Sequence, residues 1–187
     1  LLFISCHTIN KSSREYDGMI LITASTYEMG GDNEQAREDE LPKHTVTINS
    51  FWIDETEVTN AQFKKFVEAT HYITTAQKEF DFKDANGKKV HQKAGSLVFK
   101  KLKKNQAANP ITWWQFVEGA NWKHPQGPKS TIDGKDNFPV VHVSWNDAQE
   151  YAKYYGKRLP TEAEWEFAAR GGLKNNLYPW GNEPVNE

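Results

Sequence analysis

Acidic side chains, histidines and a single cysteine are the groups of this 187-residue chain that could do chemistry. Glu162, Glu164 and Glu166 are spaced closely enough to suggest acid–base carboxylates. However, Glu162 and Glu164 fall in the first turn of a predicted helix, where the helix dipole favours negative charge. We therefore interpret this group as scaffold. His124 and His142 have no second His or Cys at metal-ligand spacing, so structural hydrogen bonding is the favoured role for both.

The cysteine, Cys6, ends an apolar run over residues 1–5, and a polar segment follows it. This pattern resembles the end of a bacterial lipoprotein signal peptide, whose cysteine is the point of cleavage and lipidation. We therefore predict that residues 1–17 are the end of a signal peptide and a tether, with Cys6 as the lipidation site. The product would be exported and anchored in the bacterial envelope, facing the periplasm or the surface. A short buried strand with an inert thiol is the alternative.

The overall charge gives no reason to expect a nucleic-acid partner. Lysine and arginine number 23 and aspartate and glutamate 25, which leaves a net charge of −2. A lysine-rich segment at 83–104 allows two interpretations: a patch for an acidic partner, or a solvated excursion with a short strand near residues 97–99. The second is favoured, because aromatic residues do not alternate with the lysines as base stacking would require.

Capping signals predict three short helices. In each, a Thr or Ser is followed three residues later by Gln, Asp or Glu, which is the pattern of a capping box. The first helix is predicted over 60–69, the second ends at Gly156, and the third ends at residues 171–172. The pairs are Thr59 with Gln62, Ser144 with Asp147, and Thr161 with Glu164.

Short strands and long loops fill the rest of the predicted fold. Residues 113–128 are rich in Trp, Gly and Pro and are expected to form an irregular, ordered loop. The pattern as a whole predicts the α+β class with a high coil fraction. Strands are predicted at 19–22, 44–49 and 138–143, with a turn at 25–30 and a buried run at 51–53.

Two sequence blocks carry a resemblance to a known family. They are GANWKHPQGP at 119–128 and VHVSWNDAQEYAKYYGKRLPTEAEWEFAARGG with LYPWG within 141–181. Together with FWIDETEVTNAQFKKFV at 51–67, they resemble the formylglycine-generating enzyme family, also called sulfatase-modifying factors. The resemblance covers residues 18–187. It implies a coil-rich α+β single domain of the C-type-lectin-like kind, with three short capped helices and short antiparallel strands.

The resemblance implies an oxidase that converts a cysteine of exported sulfatases to formylglycine. In the family, copper(I) is held by two thiolates, which suit that soft ion. Both thiolates and two calcium sites lie downstream of the motif found here at 179–182. We therefore expect residues 18–187 to be the N-terminal part of the domain, with the C-terminal part missing. Copper(I) and calcium are expected in the complete domain, with none bound by residues 1–187.

The resemblance also implies a groove for an extended sulfatase peptide with a CxPxR core. Carried over to this chain, Trp113, Trp114 and Phe116 are the predicted substrate-binding residues, as the wall of that groove. The alternative is that both tryptophans are core residues. The alternative function is a non-catalytic family member, an envelope lipoprotein that binds a protein or peptide. A third branch, the iron-dependent sulfoxide synthases, requires an upstream helical metal-binding domain, which residues 1–18 do not contain.

Overall fold

The computed structural model describes residues 16–100 and 110–183, which form short antiparallel strands and α-helices and confirm the predicted α+β class. The chain divides into two compact units. The described residues of the first unit come from 16–56 and 160–183, and those of the second from 57–159. Within the described residues, no helix is long and apolar enough to cross a membrane.

The first unit contains two antiparallel strand pairs, one nested inside the other along the chain. The outer pair joins β1 (Met19–Ile22) to β4 (Phe51–Asp54), and the inner pair joins β2 (Ser25–Met29) to β3 (His44–Ile48). The predicted strands at 19–22 and 44–49 are confirmed. The turn predicted at 25–30 is wrong, because residues 25–29 form a strand in which exposed Thr26 and Glu28 alternate with half-buried Ser25, Tyr27 and Met29.

The third predicted helix is α3 (Glu162–Ala169), which packs on β2 in the first unit. The Tyr27 hydroxyl donates to the Ala163 carbonyl oxygen at 2.8 Å, and the Tyr27 and Phe167 rings lie 5.1 Å apart. Burial, followed by the nearby Glu166 carboxylate, raises the pKa of Tyr27. The predicted capping box at Thr161 is confirmed.

The core of the second unit lies between the other two helices, α1 (Asn60–Thr70) and α2 (Trp145–Tyr154). Phe63 of α1 meets the Trp122 ring edge-on at 5.4 Å and stacks on Tyr151 of α2 at 5.9 Å. Phe66 completes this buried cluster. The predicted apolar face of α1 and both predicted caps, Thr59 and Ser144, are confirmed.

Two further antiparallel ribbons belong to the second unit. They are β5 (Phe80–Lys83) with β6 (Lys89–Gln92), and β7 (Gly95–Phe99) with β8 (Trp114–Glu118). The strand predicted near 97–99 is confirmed, whereas the β5–β6 hairpin was not predicted. The irregular loop predicted at 113–128 is wrong in its first part, which forms β8. Aromatic residues favour strands, and the Trp- and Gly-rich composition obscured that preference.

Two further predictions fail for local reasons. Residues 138–143 were predicted to be a strand, but they form only an isolated bridge between Pro139 and Thr59. Pro139 has no N–H for a strand ladder, and His142 takes a left-handed φ of 58°. Trp52, in the predicted buried run at 51–53, is 38% exposed because it lies on the outer side of its strand pair.

Asp147 is the most completely buried ionisable side chain among the described residues, with no exposed surface. Its Oδ2 accepts the Ser144 backbone N–H at 2.8 Å, which caps α2. Its Oδ1 accepts the Tyr72 hydroxyl and the Thr75 backbone N–H, each at 3.0 Å. One carboxylate therefore caps α2 and ties it to the chain that follows α1. Burial, followed by the hydrogen bond to Asp147, raises the pKa of Tyr72 to about 12.

The Tyr72 contact predicts an alkaline loss of stability. The neutral phenol is favoured in the folded state, so its contribution is complete below the unfolded pKa of about 10 and disappears as pH rises towards 12. Tyr72→Phe should therefore flatten the fall of the unfolding free energy between pH 10 and 12. Urea denaturation followed by circular dichroism at pH 9, 10, 11 and 12 measures both slopes. Equal slopes for the two proteins would contradict the assignment.

Candidate functional site

The β7–β8 ribbon carries an apolar surface that faces outward. Its register places Leu97 opposite Phe116 and Phe99 opposite Trp114, so these four side chains lie on the same face. Their exposed fractions are 54%, 39%, 54% and 52%, in that order. We call Leu97, Phe99, Trp114 and Phe116 the aromatic face. A contiguous exposed surface of this kind is typical of a site that binds a partner.

The other side of the same ribbon mixes apolar and polar side chains. Val98 is buried and Val117 half-buried, and Ser96 and the exposed Gln115 lie on the same side because side chains alternate along a strand. An antiparallel sheet with one buried face usually turns polar side chains to water on the other. The aromatic face departs from that rule. Burial of the ribbon explains Val98 and Val117 but leaves the outward Leu97 and Phe99 unexplained.

The predicted site residues fall on or beside the aromatic face. Trp114 and Phe116 belong to it, and the Phe99 ring lies edge-on to Trp114 at 5.7 Å and to Trp113 at 6.4 Å. Trp113 is half-buried, and its indole N–H is buried without a hydrogen-bond partner among the described residues. The core alternative therefore fits Trp113 in part and fails for Trp114. Leu97 and Phe99 were missed, although their i, i+2 spacing in a predicted strand was the available signal.

A glycine lets the Phe116 ring lie close to the ribbon backbone. A Cβ atom at Gly95 would stand 2.6 Å from Phe116 Cζ and 2.5 Å from the Val117 carbonyl oxygen. At the same end of the ribbon, the Gly119 N–H donates to the Ala94 carbonyl oxygen at 2.9 Å. The position of Phe116 therefore depends on the missing side chain at Gly95.

The loop over 119–128 supports the ribbon from its buried side. Asn121 and His124 exchange backbone hydrogen bonds at 3.2 and 3.0 Å, and His124 Nδ1 lies 2.6 Å from the Ser130 carbonyl oxygen. His142 Nε2 lies 2.8 Å from the Pro125 carbonyl oxygen. Both histidines thus make hydrogen bonds with the protein, as the sequence predicted.

The described residues, 16–100 and 110–183, do not form a metal site. No group of three or more His, Cys, Asp or Glu side chains in those ranges could hold a metal ion. Cys6, the predicted lipidation site, lies outside the described residues. The described side chains therefore do not fit a copper(I) or calcium site. The cofactors expected for the complete domain stay a prediction.

In the described part of the lysine-rich segment, some of the positive charge is paired with nearby carboxylates. In the β5–β6 hairpin, Lys93 Nζ lies 3.2 Å from a Glu79 carboxylate oxygen, and His91 contacts both Asp81 and Glu79. The hydrogen bonds to Asp81 and then Glu79 raise the pKa of His91, and Lys93 lowers the pKa of Glu79. These pairs fit the solvated interpretation of this part of the segment. Residues 101–104 lie outside the described part.

The first unit contains a cavity of about 520 Å³, which is lined by the 30–43 loop, α3 and residues 175–178. The Glu166 carboxylate in its lining is already hydrogen-bonded within the protein. Its Oε1 accepts the Gly30 N–H at 3.2 Å and Arg170 Nε at 3.0 Å. Glu166 therefore has the scaffold role predicted for it. Because these charged groups pair with each other, the aromatic face is the stronger candidate site.

Comparison with known proteins identifies relatives across almost the whole chain. The family model for the sulfatase-modifying factor enzyme 1-like domain matches residues 6–187. Formylglycine-generating enzyme of Mus musculus is 48% identical over 166 residues, which are 88% of this chain and 43% of that protein. The enzyme of the same name from Thermomonospora curvata is 46% identical, over 89% of this chain and 53% of that protein.

Two further matches show how the family varies. The Bos taurus protein named inactive C-alpha-formylglycine-generating enzyme 2 is 44% identical, over 88% of this chain and 52% of its own length. The structure of PvdO from Pseudomonas aeruginosa superposes with a TM-score of 0.51 at 25% identity, over 90% of this chain and 52% of that one. The chain spans about half the length of the curated relatives that it matches.

Gly95→Ala tests the close contact beneath Phe116. The new methyl group would overlap a backbone oxygen and a ring carbon, and overpacking of this kind costs about 2 kcal/mol of unfolding free energy. Urea denaturation of the variant and of the Gly95→Ala/Phe116→Leu double variant measures the cost. The shorter leucine should recover part of the loss. A single variant as stable as the parent would show that the contact is not close.

Proposed function

This chain belongs to the sulfatase-modifying factor family, and we propose that the aromatic face is where its full-length protein binds an extended sulfatase peptide. The observation that carries the proposal is the apolar, outward side of β7–β8, which the packing of the ribbon does not require. Large aromatic side chains that become buried on binding are the anchors of most interfaces. The named relatives supply the substrate class.

The spacing of the aromatic face suits a peptide in an extended conformation. Its two cross-strand pairs, Leu97 with Phe116 and Phe99 with Trp114, are two residues apart along the strands. That separation is roughly 6.5 Å, which is also the distance between alternate side chains of an extended chain. In a CxPxR segment the Cys, Pro and Arg side chains alternate in this way. A peptide lying along the strands would therefore place two of them over the two pairs.

We propose that the full-length protein is an oxidase that converts the cysteine of this peptide to formylglycine. High identity to two proteins named for that activity supports the proposal. On this proposal, copper(I), calcium and the pair of catalytic cysteines would belong to the part of the full-length protein downstream of Asn182. The residues described here bind and orient the peptide: the aromatic face takes its apolar side chains and excludes water from them.

A non-catalytic peptide-binding protein is the second candidate. The 44% identity to a relative named as inactive favours it, since the scaffold is evidently compatible with loss of activity. This chain contains one cysteine, and Cys6 lies outside the predicted domain. Both candidates use the aromatic face in the same way and differ only in what happens to the bound cysteine.

Replacement of one aromatic anchor tests the binding site. Trp114→Ala in the full-length protein should weaken binding of a fluorescent CxPxR peptide by about tenfold or more, because a half-exposed indole is lost from the face. Trp165→Ala is the matched control: Trp165 is 61% exposed and lies on α3 in the first unit, whereas the ribbon belongs to the second unit. Titration by fluorescence anisotropy gives both affinities. Equal affinity of Trp114→Ala and the parent would contradict the site.

The same peptide separates the two candidates. After incubation in air with copper(I) and an added thiol, an oxidase yields an aldehyde that an aminooxy reagent captures. The cysteine sulfur leaves as hydrogen sulfide, and oxygen is reduced to water with two electrons from the cysteine carbon and two from the added thiol. A binding protein instead returns the peptide with its thiol intact. Binding without aldehyde formation in the full-length protein would favour the second candidate.

We also propose that Cys6 is lipidated and that the protein is exported and anchored to the bacterial envelope. The apolar run before Cys6 and the polar segment after it support this. Mass spectrometry of the protein extracted from membranes should show an N-terminal, acylated Cys6. An unmodified Cys6 with residues 1–5 retained would contradict the proposal.

A further inference from the structure

We propose that His142 is a positioning residue that holds the β7–β8 ribbon in place for peptide binding. The inference rests on the proposed function, since it concerns the surface assigned there. His142 lies outside the ribbon and does not belong to the aromatic face. It acts on that face through Ser96, which is next to Leu97 on β7.

The imidazole of His142 connects the ribbon to the 119–128 loop. Its Nε2 lies 2.8 Å from the Pro125 carbonyl oxygen, which can only accept, so Nε2 carries the proton. Nδ1 lies 2.9 Å from the Ser96 hydroxyl oxygen. One imidazole ring therefore bonds to the loop through one nitrogen and to the ribbon through the other.

The backbone at His142 takes a left-handed conformation, with a φ of 58°. Histidine is among the non-glycine residues enriched in this region. Glycine adopts it without steric cost, so His142→Gly removes the ring without straining the backbone.

The loop is a firm support for the ribbon. Trp122 within it is 1% exposed and packs against Phe63 in the core of the second unit. The anchor point on the ribbon, Ser96, is next to Gly95, the residue that sets the position of Phe116. Loss of the His142 bridge would therefore loosen the end of β7 where Leu97 and Phe116 stand opposite each other. The core and both helices would keep their contacts.

Substitutions at both ends of the bridge test the inference in the full-length protein. His142→Gly removes both bonds while easing the backbone, Ser96→Ala removes one bond, and Ser96→Thr keeps the hydroxyl. Asn175→Gly is the control, because Asn175 has the same φ of 58° but lies in the first unit. CxPxR peptide affinity and amide hydrogen exchange are measured for each variant.

We expect His142→Gly and Ser96→Ala each to weaken peptide binding by about fivefold to tenfold, with no further loss in the double variant because they break the same bridge. Ser96→Thr should bind like the parent. Exchange should speed up at the ribbon amides, including Lys100 and Gly119, and stay unchanged in the β5–β6 hairpin. Asn175→Gly should change neither measurement.

The two readouts separate this inference from the proposed function. Faster exchange confined to the ribbon, with Trp114→Ala binding normally, supports His142 as a positioning residue and overturns the peptide site. Unchanged exchange in His142→Gly overturns the inference, and a loss of binding in Trp114→Ala would leave the peptide site standing. Faster exchange in every element would mean a general structural role and also overturns the inference.

Discussion

The need to satisfy the backbone amides at the starts of short helices governs this structure. Its helices have only eight to eleven residues, so a large share of their N–H groups lie in first turns that have no partner within the helix. Side chains supply the missing acceptors, with a capping box at each of the three helices in the described part. The Asp147 carboxylate accepts backbone N–H groups from two separate segments, the start of α2 and the chain that follows α1. A chain with so much irregular backbone holds one conformation because its polar side chains replace the ladders of longer elements.

The two sides of the β7–β8 ribbon have different roles. Its inner side packs through Val98 and Val117, so its outer side contributes little to folding and is available for binding. Gly95 leaves room for the Phe116 ring, the 119–128 loop meets the inner side at Val117, and the Phe99 ring contacts both tryptophans. Exposed apolar strands that are loosely held tend to pair with other chains. These contacts limit how freely the exposed side chains can move.

Features set by neighbouring residues could be predicted from the sequence, whereas features set by residues far apart in the chain could not. The capping boxes at Thr59, Ser144 and Thr161 lie within four residues and were found, as was the buried face of α1. The β8 strand was missed because its pairing partner, β7, lies beyond a long intervening stretch, and its Trp and Gly content is typical of loops as well. At 138–143 the apolar residues favoured a strand, but Pro139 and the left-handed His142 prevent a ladder. Trp114 and Phe116 could be named from the family motif, whereas Leu97 and Phe99 needed the register.

The contact between Tyr27 and Ala163 joins residues 136 positions apart, and it has a consequence for synthesis on the ribosome. The second unit is one uninterrupted stretch, so all of its chain emerges before α3 does. The nested strand pairs of the first unit can close early, because the inner pair shortens the loop that the outer pair must close. The side of β2 that packs on α3 then stays exposed until more than a hundred further residues have been translated. During that interval Tyr27 and its neighbours on β2 lack the contacts that α3 later makes with them.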